Sequence, residues 1–194
     1  PKFTTGRIGP FEEGSPEYER LFASYVKEVQ DHLEQKGWLD KAYLYWFDEP
    51  EPGDYEFVRR TNERIHKAAP KLNRMLTEQP EPALFGAVDT WCPVTYNYDC
   101  TSCQARQQAG EKIWWYVCCG PKAPWAGLFI DHGATELRVW LWQTWQNKVQ
   151  GCLVWHATWW NSAGAPGQPQ NPWTDPMGWT PEGGCWGNGD GRFI

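Results

Sequence analysis

Residues 15–36 carry the clearest helical pattern of hydrophobic and polar positions in the chain. The segment opens with Ser-Pro-Glu, a combination typical of helix starts because serine caps the first turn and proline fits it. Apolar side chains then recur at helical spacing, at Leu21, Phe22, Tyr25, Val26, Val29 and Leu33. The pattern predicts an amphipathic helix that ends at Gly37.

Five apolar runs of strand length follow, and they alternate with helical segments. The runs are KAYLYWF (41–47), RMLTEQ (74–79), FGAVDTW (85–91), IWWYVCC (113–119) and QGCLVWHATWW (150–160). Helices are predicted at about 53–69 and 133–148. Such alternation favours an α/β fold with a mostly parallel sheet and right-handed crossovers. The first run is apolar almost throughout, which is typical of a strand that is covered on both faces.

Polar or aromatic side chains stand at the carboxyl end of each predicted strand. They are Asp48 and Glu49, then Glu78, then Asp89 and Trp91, then the segment around Tyr116, then Trp159, Trp160 and Asn161. Ligands bind at this edge of a parallel α/β sheet, and in a (β/α)8 barrel it is the catalytic face. Five strands do not close such a barrel, so the pattern fits either an open sheet or a chain that begins partway through a barrel.

The last part of the chain, residues 161–194, has a different composition. It is rich in Gly, Pro, Asn and Trp and shows no periodicity. Disordered segments are poor in aromatic residues, so Trp173, Trp179 and Trp186 favour a loop that packs over the mouth of a site. We therefore divide the chain into a barrel part, 1–160, and a loop segment, 161–194.

The amino-acid composition of the chain limits the kinds of molecule that it is expected to bind. The net charge of −6 disfavours nucleic acid and anionic membrane surfaces, which select basic patches, and no apolar run is long enough to span a membrane. The chain has 15 tryptophans, more than a core needs. Indole faces that stack on sugar rings would explain this excess, so a carbohydrate is the expected partner.

Seven cysteines leave at least one unpaired thiol if the others form disulfides. Cys100 and Cys103 have the spacing of half a zinc site, but no second pair follows at metal spacing. A disulfide within the 92–103 loop, and buried thiols at Cys118, Cys119 and Cys152, are the favoured interpretation. The first residues do not form a signal peptide, and we nevertheless expect a secreted or periplasmic bacterial protein.

The adjacent carboxylates Asp48 and Glu49 are the main candidates for chemistry. As solvated residues they could simply open a loop, with Asp48 capping the next helix. The apolar strand before them and the polar ends of the other strands favour a site instead. Pro50 is expected to hold Glu49 in an extended conformation. Mutual repulsion should leave a proton on one carboxylate, which supplies a general acid beside a negative charge.

Several segments resemble, in order, the catalytic domain of glycoside hydrolase family 123. They are YWFDEP (45–50), DTWCP (89–93), WWYVCCGP (114–121), LFID (128–131), GATELRVWLWQ (133–143), GCLVWHATWWN (151–161), NPW (171–173) and GDGRF (189–193). The resemblance implies a (β/α)8 TIM-type barrel, of which this chain would supply strands four to eight. The remaining N-terminal part of the enzyme would then be its partner, and no cofactor or metal would be needed.

The resemblance also implies a reaction, the retaining removal of β-linked N-acetylgalactosamine with the substrate's own acetamido oxygen as nucleophile. Asp48 would orient the acetamido group, and Glu49 would act as general acid and then as base. The residues themselves leave two alternatives open. One is a conventional glycosidase with Glu49 as acid and Glu78 as nucleophile, and the other is a non-catalytic carbohydrate-binding module.

Further substrate contacts are predicted from the residues alone. The Tyr116 hydroxyl could donate to the acetamido oxygen, and four indoles could surround the sugar, those of Trp91, Trp115, Trp155 and Trp160. Asn161 and Asp89 could bind sugar hydroxyls, although Asp89 could equally pair with an arginine. His156 lies among aromatic residues and is expected to be a core histidine.

Overall fold

The computed structural model describes residues 3, 5–160, 169, 171, 173–174 and 187–191. The chain divides into two compact units, Pro1–Trp91 and Cys92–Ile194. Both units have mixed α/β structure with parallel strand pairs, which is consistent with part of a TIM-type barrel. Most of the predicted loop segment 161–194 lies outside the described residues, so its packing stays a prediction.

The first unit opens with a short antiparallel hairpin of β1 (Arg7–Ile8) and β2 (Phe11–Glu12). Helix α1 (Pro16–Gln35) precedes strand β3 (Leu44–Phe47), and helix α2 (Tyr55–Ala68) precedes strand β4 (Arg74–Leu76). Strand β5 is Thr90–Trp91. The order is β3-β4-β5 and both pairings are parallel, so the carboxyl ends of these strands meet at one edge.

The described residues of the second unit form two helices and one parallel strand pair. Helix α3 (Cys100–Gln108) is followed by strand β6 (Lys112–Val117), helix α4 (Thr135–Gln146) and strand β7 (Gly151–Val154). Strands β6 and β7 pair in parallel from Trp114 opposite Gly151 to Val117 opposite Val154. The alternation of strand and helix predicted from the sequence is confirmed in both units.

Helix α1 forms where the sequence predicts it. The Ser15 hydroxyl accepts a hydrogen bond from the Tyr18 backbone N–H at 3.3 Å, which caps the first turn. The buried face runs at four-residue spacing through Tyr18, Phe22, Val26 and Gln30. The first three side chains pack with Ile65, Ala69 and Leu72 of the α2 region in one buried hydrophobic cluster.

Strand β3 is more exposed than its apolar sequence predicts. The side chains of Tyr45 and Trp46 are 42% and 43% exposed, so the expectation of a strand covered on both faces is wrong for the structure described. Two features account for this: β3 has a single strand neighbour, β4, among the described residues, and its register is irregular.

Some apolar runs are buried without being strands. In the run 85–91 only Thr90 and Trp91 belong to a strand, because Gly86 adopts a positive φ of 82° and turns the chain. Ala87 and Val88 are nevertheless fully buried. The runs at 74–79 and 150–160 likewise give strands of three and four residues.

The predicted disulfide in the 92–103 loop does not form. Cys92, Cys100 and Cys103 are thiols, and they lie in different surroundings. Cys100 is exposed at the start of α3, whereas Cys92 and Cys103 are buried, and burial raises the pKa of Cys103 to about 11. Cys152 is exposed and Cys118 and Cys119 are half-buried, so the expectation of buried thiols at these three positions is also wrong.

Candidate active site

Asp48 and Glu49 directly follow β3, and Thr77 and Glu78 directly follow β4. Phe47 is paired with Leu76 at the end of the two strands, so the next residues along each strand come side by side. Because the strands are parallel, the carboxylate pair and the end of β4 lie at the same edge of the first unit. This part of the predicted site is therefore assembled within one unit.

A bulge in β3 turns Tyr45 toward the carboxylate pair. The register against β4 shifts between Tyr45 and Phe47, which makes Trp46 the extra residue. In a regular strand Tyr45 and Asp48, three positions apart, would point to opposite faces. The bulge reverses the alternation, since Tyr45 is exposed whereas Phe47 is 4% exposed. The Tyr45 hydroxyl accordingly donates a hydrogen bond to Asp48 Oδ1.

Thr77 binds both members of the pair through one hydroxyl group. Its Oγ1 donates to Asp48 Oδ1 at 2.9 Å and accepts the Glu49 backbone N–H at 2.8 Å. The same oxygen lies 3.2 Å from the Tyr45 hydroxyl. Tyr45 and Thr77 were not among the residues selected from the sequence, although Thr77 stands next to Glu78 in the polar end of the same run.

Glu49 does not adopt the extended conformation expected before Pro50. Its φ is +44°, in the left-handed region that non-glycine residues enter at a cost of about 1–2 kcal/mol. The hydrogen bond from its N–H to Thr77 and the turn into the following Pro52–Asp54 3-10 helix hold this conformation. The restriction that proline imposes on its neighbour is therefore overridden by tertiary contacts at the strand end.

Glu78 is the most strongly perturbed carboxyl group at this edge. It is buried at 9% exposure, and burial raises its pKa to about 7. A hydrogen bond from the Gln79 backbone N–H opposes this rise, whereas the nearby charges of Glu81 and Glu49 add to it. Glu78 thus lies within electrostatic reach of Glu49 and holds a proton more readily than an ordinary glutamate.

The burial of Glu78 predicts a pH dependence of stability. Between its ordinary pKa of 4.5 and about 7, the folded protein keeps a proton on Glu78 that the unfolded chain releases. The free energy of unfolding should therefore fall as the pH rises through this range, by up to about 3 kcal/mol.

Urea denaturation at pH 5 and pH 8 measures this change. Glu78→Gln should remove most of the difference between the two pH values, whereas the exposed control Glu56→Gln on α2 should retain it. An equal difference in wild type and Glu78→Gln would contradict the assignment.

Asp89 is engaged with an arginine, which is one of the two alternatives the sequence leaves open. Its carboxylate accepts from Arg74 Nε and Nη2, each at 2.7 Å, and from the Arg74 backbone N–H at 2.9 Å. Arg74 is 4% exposed, so the pair neutralises a buried charge. Trp91 is fully buried with an edge-to-face contact to Phe85, and its role in sugar binding stays a prediction.

Strand β6 places Trp115 and Tyr116 on opposite faces. The Trp115 indole N–H donates to Thr144 Oγ1 of α4 at 3.0 Å, so this side chain faces the helix. Tyr116 points to the other side by strand alternation and is 3% exposed. The structure therefore does not bring these two predicted substrate contacts to one surface.

The end of β7 carries an aromatic cluster. The Trp155 ring lies 5.5 Å from both the His156 and Trp159 rings, between centroids. His156 is half-buried, so it is not the core histidine expected from the sequence, and its Nδ1 accepts the Thr158 backbone N–H at 3.1 Å. Trp160 is 49% exposed, and Asn161 lies outside the described residues.

The described part of the chain contains neither a candidate metal site nor a membrane-spanning helix. No three His, Cys, Asp or Glu side chains there are grouped closely enough to hold a metal ion. No helix in the same residues has both the length and the hydropathy required to cross a membrane.

Comparison with known proteins points to one family. A family model described as the catalytic domain of glycoside hydrolase 123 matches residues 4–194. No curated protein matches the chain. Among solved structures, a family 123 glycoside hydrolase from Clostridium perfringens, analysed for its hydrolysis of glycolipid glycans, superposes with a TM-score of 0.64 at 19% identity.

That superposition covers 92% of this chain and 30% of the clostridial one, so the present chain spans less than a third of that relative. At this identity the likeness concerns the fold. The family match spans nearly the whole chain and includes the Asp48–Glu49 edge described above. The chain therefore belongs to glycoside hydrolase family 123, and the part of the family that it represents is the catalytic domain.

Proposed function

We propose that the protein is a retaining, exo-acting glycoside hydrolase that removes β-linked N-acetylgalactosamine, or a related N-acetylhexosamine, from glycans or glycolipids. The observation that carries the proposal is the adjacent pair Asp48 and Glu49, anchored through Thr77 to the end of β4. Family membership supports the hydrolysis of a glycosidic bond. The glycolipid glycans of the clostridial relative support the choice of substrate class.

The proposed first step needs no nucleophile from the protein. The carbonyl oxygen of the substrate's 2-acetamido group attacks the anomeric carbon, while Glu49 donates its proton to the glycosidic oxygen and the aglycone leaves as an alcohol. The product of this step is a cyclic oxazolinium ion. Asp48 accepts a hydrogen bond from the acetamido N–H and stabilises the positive charge that develops on the ring.

The second step restores the proton of Glu49 and the acetamido group of the sugar. A water molecule attacks the anomeric carbon as Glu49, now a carboxylate, takes its proton, and the oxazolinium ring opens to return the acetamido group. Two displacements at one carbon give net retention of configuration. The roles expected from the sequence for Tyr116, Trp155 and Trp160 in sugar binding stay predictions.

The protonation state of Glu78 bears on the alternative mechanism, in which Glu78 would be the nucleophile of a conventional retaining glycosidase. A carboxyl group with a pKa of about 7 is protonated through much of the acidic range, and a protonated carboxyl is a poor nucleophile. Glu78 is better suited to bind a sugar hydroxyl than to attack the anomeric carbon. This weighs against a mechanism with Glu49 as acid and Glu78 as nucleophile.

A thiazoline analogue of the oxazolinium intermediate tests the proposed function. For the protein at its full natural length, the N-acetylgalactosamine thiazoline should inhibit competitively and bind at least about 100-fold more tightly than N-acetylgalactosamine. The measurement is the inhibition constant against an aryl β-N-acetylgalactosaminide.

Three other outcomes would redirect the assignment. Hydrolysis of substrates that lack the acetamido group, without inhibition by the thiazoline, would exclude substrate assistance. Labelling of Glu78 by a 2-fluoro glycoside would establish the conventional mechanism. Glycan binding without turnover, unchanged in Glu49→Gln, would identify a non-catalytic binding module.

A further inference from the structure

We propose that Tyr45 and Thr77 are positioning residues that hold the Asp48 carboxylate in the orientation required by the substrate's acetamido group. The chemistry of this inference rests on the proposed function, whereas the contacts that carry it do not. Both hydroxyl groups meet one oxygen of Asp48, and both reach it because of the way β3 and β4 end.

The hydrogens around Asp48 Oδ1 can be assigned without conflict. The Tyr45 hydroxyl donates its single hydrogen to Oδ1, and the Thr77 hydroxyl donates its own to the same oxygen. Thr77 Oγ1 then accepts the Glu49 N–H with a lone pair. Three donors thus serve two acceptors, with Asp48 accepting twice as a carboxylate does.

These contacts restrict rotation of the carboxylate. Turning the Asp48 side chain about its last torsion would break both hydrogen bonds to Oδ1 at once. The two donors come from different strands, Tyr45 from β3 and Thr77 from the end of β4, so they fix the group from two directions. Displacement of a catalytic group by about 1 Å can cost about 100-fold in rate, which makes such fixation valuable.

The bulge at Trp46 indicates that the hydrogen bond between Tyr45 and Asp48 is a specific feature of the strand and not a chance contact. Without the register shift, strand alternation would turn Tyr45 away from Asp48. Bulges recur beside active sites because they re-aim a side chain, and this one brings a phenol to the carboxylate. The same Thr77 hydroxyl holds Glu49 in its left-handed conformation, so one side chain fixes both members of the pair.

Variants of Thr77 and Tyr45 test the proposal in the protein at its full natural length. Thr77→Val keeps the side-chain shape and removes the hydroxyl, so kcat should fall by about 10- to 100-fold with a smaller change in KM. Thr77→Ser should recover activity to within a few-fold of wild type. Tyr45→Phe should lower kcat by about 10-fold or more and weaken binding of the thiazoline in parallel.

Thr90→Val is the matched control for loss of a buried threonine hydroxyl. Thr90 lies in β5 at 2% exposure, and its hydroxyl donates to Asn73 Oδ1 at 2.8 Å. This variant should be destabilised in the same way as Thr77→Val, with its kcat and thiazoline affinity unchanged. Equal kinetic losses in the two valine variants would assign Thr77 a purely structural role and overturn the proposal.

A titration that needs no turnover tests the contact itself. Burial raises the pKa of Tyr45, and the hydrogen bond to the Asp48 carboxylate raises it further. Replacing Asp48 with Asn removes the negative charge, so the pKa of Tyr45 should fall, as followed by NMR of 13C-labelled tyrosine with Tyr45→Phe to assign the signal. An unchanged titration would refute the contact.

The two experiments separate this inference from the proposed function. An inactive wild-type protein would refute the proposed function, and the tyrosine titration would still decide whether Tyr45 holds Asp48. An active wild type with a Thr77→Val variant of full kcat would refute the inference alone.

Discussion

Replacing Glu49 with Gln is expected to lower kcat/KM by about 1,000-fold for substrates whose leaving group is a sugar or a lipid alcohol. Such leaving groups depart only when they are protonated, and a general acid typically contributes about 100- to 10,000-fold. When the leaving group is a strongly acidic phenol, the glycosidic oxygen needs little protonation. The kcat/KM for such an aryl glycoside should therefore fall much less in Glu49→Gln. The measurement is kcat/KM across a series of aryl leaving groups of different pKa.

The exposed residue Glu28 on α1 provides the matched control, because Glu28→Gln makes the same chemical change away from the candidate site. This control should retain wild-type kinetics for every leaving group. If Glu49→Gln showed the same loss for good and poor leaving groups, Glu49 would not be the general acid.

Replacing Asp48 with Asn should cost about 100- to 1,000-fold in kcat, and the loss should be independent of the leaving group. The carboxylate is proposed to stabilise a positive charge that is present in the transition state and absent from the substrate, so kcat should fall more than KM rises. Affinity for the thiazoline should fall with kcat, because the analogue resembles the charged intermediate.

Asp40→Asn, in the exposed 3-10 helix Leu39–Lys41, controls for loss of an aspartate charge. It should leave both kcat and thiazoline affinity unchanged. Tight thiazoline binding by an Asp48→Asn variant would show that Asp48 does not contact the acetamido group. The loss should depend on the leaving group in Glu49→Gln and not in Asp48→Asn. This difference distinguishes a general acid from a residue that stabilises the positive charge.

The local sequence pattern was sufficient to predict the helices that have clear capping residues or a long apolar face. Helix α1 has a serine cap, a proline in its first turn and an apolar face over five turns, and it forms within a residue of its predicted bounds. Helix α2 follows its Pro-Gly-Asp turn in the same way. Helix α3 was missed because its sequence, CTSCQARQQ, has no apolar stripe, and its start depends on the Asp99 side chain that caps Ser102.

The candidate site shows the limit of such patterns. The position of Asp48 and Glu49 at a strand end follows from the sequence, since an apolar run stops there. The bulge at Trp46 depends on hydrogen bonding between β3 and β4, which are separated along the chain by helix α2. The contacts of Tyr45 and Thr77 and the left-handed Glu49 follow from that pairing, so the sequence pattern of β3 alone could not predict them.

Substrate-assisted catalysis by Asp48 and Glu49 can be tested with a structure of the protein at its full natural length in complex with the N-acetylgalactosamine thiazoline. We expect the thiazoline nitrogen to lie within hydrogen-bond distance of the Asp48 carboxylate, with Glu49 beside the anomeric carbon on the face from which the aglycone leaves. Tyr45 and Thr77 should keep their hydrogen bonds to Asp48 in that complex. A thiazoline bound with its nitrogen on another residue, and Asp48 more than about 4 Å from the sugar, would contradict substrate-assisted catalysis by this pair.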